Sequence, residues 1–132
     1  MNCVVESVSK LFPELDLSAF PNRPIGYAMC DITRMLPPEM SVWIVYANRN
    51  KCINFDIIQQ LPRCNEYYPL FLFTTIASNR FRLHCQLAYW DRETVVIDGV
   101  EYDADQYFQR NKIIQVGAVI NYDTHEFLVI SK

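Results

Sequence analysis

The chain has two histidines, and one of them, His84, stands fourteen residues before Asp98. A histidine beside a carboxylate is two-thirds of a nucleophile-activating unit. The carboxylate fixes the ring tautomer, and the ring takes a proton from a thiol or hydroxyl. Cys3 is the candidate thiol. It opens the segment 3–12, in which Val4, Val5, Val8, Leu11 and Phe12 fall on one helical face. Free N–H groups and the positive end of the helix dipole favour a thiolate at such a position. The same N–H groups can help hold an oxyanion. Each residue also has a plainer reading. Cys3 fits a frayed helix start, His84 a solvated strand histidine, and Asp98 a turn aspartate before Gly99. Cys30 is the rival nucleophile and His125 the rival base. A metal set of Cys64, His84 and Cys85 lacks the paired spacing that such sites use.

The elements that must position these groups are visible in the pattern. Phe81, Leu83, Cys85, Leu87 and Tyr89 alternate with Arg82, His84, Gln86 and Ala88, which predicts a strand over 81–90 with His84 on the face opposite the apolar one. After a polar reversal, 94–98 predicts a second strand, closed by the Asp98-Gly99 turn. Upstream, 3–12 predicts a helix ended by Pro13, and 26–36 a second helix ended by Pro37-Pro38. Residues 41–47 are almost wholly apolar and read as a central strand. A hairpin turn at 48–50, a return strand at 51–55 and a helical turn at 56–60 follow. Strands are expected at 70–77, 113–122 and 125–131, an extension of the sheet at 100–102, and a short helix or turn at 103–110. The fold class expected is α+β: short N-terminal helices on a mainly antiparallel sheet, in one domain spanning 1–132.

The order is Cys3 at a helix start, His84 opening a strand, and Asp98 after the following strand. It resembles the papain-like cysteine peptidases, and within them the small bacterial peptidases that cut double-glycine leader peptides. The likeness rests on His84-Cys85-Gln86-Leu87-Ala88, on Thr94-Val95-Val96-Ile97-Asp98, on the trailing 103–108, and on Asp56 to Pro62. The Asn2-Cys3 start is similar to viral ovarian-tumour-type proteases. The resemblance implies a papain-like fold and acyl transfer from a peptide or isopeptide bond to water. Cys3 would be the nucleophile, His84 the base and Asp98 the orienting group, with no cofactor and a peptide or protein as substrate. Two features depart from the family. No glutamine precedes Cys3, and Gly99 replaces the proline that usually follows the aspartate. The missing glutamine favours a second expectation, a non-catalytic binding module on the same scaffold, such as an inhibitor, an immunity-type protein or a viral accessory factor.

Composition bounds the rest. A chain of 132 residues with 51% hydrophobic and 14% aromatic residues builds a packed globular core. Net charge −3 and pI near 5.3 disfavour nucleic acid. Glu6 and Lys10 interrupt the start, so no signal peptide is expected. No apolar run reaches the ~18 residues that a membrane span needs. Five cysteines, an odd number without regular spacing, predict reduced thiols in a cytoplasmic protein that is a monomer or weak dimer.

Overall fold

A computed structural model describes residues 2–24, 26–47, 61–62, 64–76 and 79–132, with the side chains of all of these except 46, 47, 76 and 79–82. The expected turn, strand and helical turn over 48–60, and with them Cys52, lie outside the described residues. The architecture is α+β. Among the described residues it comprises α1 (Cys3–Leu11), α2 (Met29–Met35), β1 (Met40–Ala47), β2 (Tyr68–Ile76), β3 (Asn79–Trp90), β4 (Thr94–Ile97), β5 (Val100–Asp103), α3 (Ala104–Arg110) and β6 (Ile113–Asn121).

Helix α1 begins where its sequence says it should. The Asn2 Oδ1 accepts from the Val5 N–H at 3.0 Å, Glu6 lies in the first turn and Lys10 in the last, so cap and charges both suit the dipole. It buries Val4, Val5 and Val8. Helix α2 starts three residues later than expected, because Gly26 adopts φ +67°, outside the right-handed helical region. The Asp31 carboxylate then accepts from the Ala28 N–H at 2.7 Å and pairs with Arg23 and Arg34. Burial works against its charge, but the Ala28 N–H and the two guanidinium groups outweigh it and hold the carboxyl below its usual range.

The sheet order is β1-β6-β2-β3-β4-β5, and every pair is antiparallel. Each face carries a core. On one face α1 and α2 cover Phe71, Phe73, Cys85 and Leu87. On the other, α3 and the segment after β6 cover Leu70, Leu72, Ala88 and Trp90. Gly117 of β6 permits the closest approach, since a Cβ there would lie 2.6 Å from Met29 Sδ and 2.7 Å from Val42 Cγ1.

Two expectations fail. Residues 41–47 are not central: β6 is the only strand neighbour of β1 among the described residues, and Trp43 and Ile44 are 52% and 50% exposed. An apolar run cannot by itself distinguish an edge strand from an inner one. The neighbouring β6 lies inside the sheet and is buried from Val116 through Ile120 on both faces. Residues 125–131 form no regular strand either. His125 turns to φ +60°, and among the described residues the segment makes only the isolated bridges Phe127–Ile120 and Ile130–Tyr67.

Candidate functional site

Strand β4 pairs with β3 only at Tyr89–Val96 and Trp90–Val95. Further back along β3 a helix stands where a strand would be. The Cys85 N–H donates to Cys3 Sγ at 3.3 Å. The Ser7 Oγ lies 2.8 Å from Cys3 O and 3.4 Å from Cys85 O. Cys3 and Ser7 are four residues apart and share one face of α1. Together they satisfy the outward N–H and C=O of Cys85, which would otherwise be an open sheet edge. The Cys85 thiol itself is buried. Burial pushes it up to about 12, the Ser7 hydroxyl works the other way, and the Cys3 thiol nearby adds to the rise.

A cleft of about 200 Å³ opens at this junction, and Cys3, Lys10, His84 and Asp98 are among its lining residues. Asp98 and Gly99, at φ +51° and +78°, form the two-residue turn between β4 and β5. Lys10 Nζ donates to Asp98 Oδ1 at 2.7 Å across the mouth, a bond that raises the lysine's pKa.

The three residues singled out from the sequence therefore reach one cleft, but they are not connected to one another there. The partner of the Cys3 sulfur is a backbone N–H, and the partner of Asp98 is Lys10. Strand β3 alternates without a bulge from Leu83 to Trp90. Leu83, Cys85, Leu87 and Tyr89 pack towards α1 and α2, and Ala88 and Trp90 towards α3. His84 belongs to the second set, on the face away from α1. It is exposed, and its side chain makes no hydrogen bond or ion pair among the described residues. Asn2 Oδ1 caps α1, and the buried Asn2 Nδ2 has no partner among the described residues. Cys30 is exposed on α2, and exposed His125 lies in the turn after β6. Among the described residues no cluster of histidine, cysteine, aspartate and glutamate is arranged to hold a metal ion.

Two features escaped the sequence reading. One is a groove of about 400 Å³ lined by Gln86, Tyr102, Tyr107 and Arg110 among others. Its floor is ordered by the Tyr107 hydroxyl donating to Gln86 Oε1 at 3.3 Å, and by the Tyr102 and Tyr107 rings 5.1 Å apart. Gln86 shares the polar face of β3, which was the available signal. The other is the exposure of β5: all four of its residues are open to solvent. Val100 and Tyr102 are 50% and 41% exposed on one face, and Glu101 and Asp103 stand on the other. β5 ends the sheet, and no strand pairs with its outer side among the described residues. No family model, curated protein or solved structure matches the chain. Among the described residues no helix is long and apolar enough to cross a membrane.

Proposed function

We propose that the chain acts by binding rather than by catalysis, and that a partner docks by adding a strand to β5. The carrying observation is the exposure of all four β5 residues at the end of the sheet. An added strand would satisfy outward backbone groups and cover Val100 and Tyr102. The partner segment is extended, apolar on one face and basic on the other, because it must lie beside Glu101 and Asp103. A second copy of this chain is the poorer occupant. In an antiparallel β5–β5 pairing the faces are kept, so acidic residues of one copy oppose acidic residues of the other, which is destabilising.

Synthetic peptides with alternating lysine and valine test this by NMR titration. Shifts concentrated on 100–103, weakened by added salt and by Glu101→Lys, are expected. Shifts confined to the α1–β3 cleft, or none at millimolar peptide, overturn it. Asp103 is left intact because its carboxylate caps α3 through the Gln106 N–H at 2.9 Å.

A thiol hydrolase is the second reading, favoured by the one cleft that Cys3, His84 and Asp98 share. Iodoacetamide alkylation of Cys3 near pH 6 separates the two. A hydrolase requires His84→Ala to slow it, whereas a binding module leaves the rate unchanged.

A further inference from the structure

Cys3 and Cys85 are 82 positions apart in sequence and meet at the edge of β3. The Cys3 sulfur is 3.3 Å from the Cys85 nitrogen. An N–Cα bond is about 1.46 Å, so that sulfur lies within about 4.8 Å of the Cys85 Cα. Both side chains pack into the same core cluster, the one beneath α1 and α2. Both are free, and they differ in access: Cys3 is half-buried on the cleft wall, and Cys85 is buried.

We infer that Cys3 and Cys85 are a modifiable thiol pair, which closes to a disulfide by exchange with a low-molecular-weight disulfide entering the cleft. The Cys3 thiolate attacks one sulfur of the reagent RS–SR. A bond forms between Cys3 Sγ and that sulfur, the RS–SR bond breaks, and RS⁻ leaves to take up the proton that Cys3 released. Cys85 then loses its proton and attacks Cys3 Sγ. The Cys3–Cys85 bond forms, the mixed disulfide breaks, and a second RS⁻ departs and is protonated. Two protein thiols are oxidised and one disulfide is reduced to two RSH. Access sets this order, because only Cys3 meets the solution. Burial makes Cys85 the slower partner, so the second step quickens as pH rises. The product staples α1 to the strand edge that it now holds by weaker bonds.

The experiment is incubation of the native, reduced protein with oxidised glutathione between pH 7 and 9, followed by peptide mapping under non-reducing conditions. The expected result is a glutathione adduct on Cys3 that decays into a Cys3–Cys85 crosslinked peptide, faster at pH 9 than at pH 7. The crosslinked protein should keep its circular-dichroism spectrum and melt at a higher temperature. In Cys85→Ser the Cys3 adduct should persist. An adduct on Cys3 that persists equally in the unsubstituted protein overturns the inference. So does a crosslink that joins Cys3 to another cysteine, or that forms only in urea. The unsubstituted protein alone decides these outcomes, should the variant fold poorly. None of them bears on whether β5 binds a partner.

Discussion

Gly117→Ala tests the packing that seats α2 on the centre of the sheet. The added methyl would lie 2.6 Å from Met29 Sδ, 2.7 Å from Val42 Cγ1 and 2.9 Å from Met29 Cε. Ordinary carbon contacts are about 3.5–4.0 Å, so each neighbour must retreat by roughly 1 Å. Met29 is flexible but 2% exposed, with little room to move into. Val42 is β-branched, on a strand held by β6 in register with Val119, and cannot rotate away cheaply. Overpacking of this kind costs about 1–3 kcal/mol. Replacing a strand glycine by alanine returns about 0.5–1 kcal/mol through the unfolded chain. The net loss is therefore about 0.5–2 kcal/mol. At about 2.1 cal/mol/K per residue, 132 residues give an unfolding entropy near 0.28 kcal/mol/K, and Tm should fall by about 2–7 °C. Urea denaturation and calorimetry measure both quantities. In a Val42→Ala background one obstacle is gone, and Gly117→Ala should cost at least ~0.5 kcal/mol less. A neutral or stabilising Gly117→Ala refutes the close approach, as does strict additivity in the cycle.

Acid should weaken the fold through Asp31 and Asp91, both of whose carboxyls lie below their usual range. For Asp91, burial opposes the charge but is outweighed by Lys132 and by the Thr94 and Glu93 N–H groups. Their folded pKa values are below the unfolded ones, so the stabilisation is complete above the unfolded value of ~3.9 and is lost as pH falls through the folded values. Urea titrations at pH 5 and pH 3 should differ, and Asp31→Asn should cost about 1–3 kcal/mol at pH 5 while narrowing that difference. A gap between pH 5 and pH 3 that Asp31→Asn leaves unchanged would remove Asp31 from the account. Phe108→Ala should cost about 3–5 kcal/mol, because this ring anchors α3 in the core around Trp90 and Ile113, whereas His84→Ala should stay within ~0.5 kcal/mol. Comparable losses from the two would mean that His84 has a structural role on the α3 face.

Local order was legible in the sequence and long-range order was not. The alternation over 81–90 gave β3 and put His84 on its polar face. The apolar stripe of 3–12 gave a helix that must cover an apolar face. Taken together, those two observations already put His84 on the face of β3 that α1 does not cover. The pattern of Cys, His and Asp along the chain concealed this, because order in sequence is blind to which side of a strand a residue occupies. The positions of β1 and β6 depend on pairings across some seventy residues, for which no local propensity exists. His125 shows the remaining limit: the apolar run over 127–130 was overridden by one left-handed residue and the turn at 122–124.

The place of β6 also bears on how the chain assembles. Among the described residues, β1 meets the rest of the sheet only through β6, and β6 follows β1 by more than sixty residues. The β2–β5 meander can pair locally as it emerges, with α1 folding onto its edge. Among the described residues, β1 gains its strand partner only when β6 has been made and inserted between it and β2. Such a closure is slow because long-range pairing costs loop entropy before it returns contact energy. During that interval Trp43, Ile44 and the apolar length of β1 are open to the wrong partners. Crowded synthesis at high temperature should therefore expose this protein to aggregation nucleated at β1 before its finished fold is threatened.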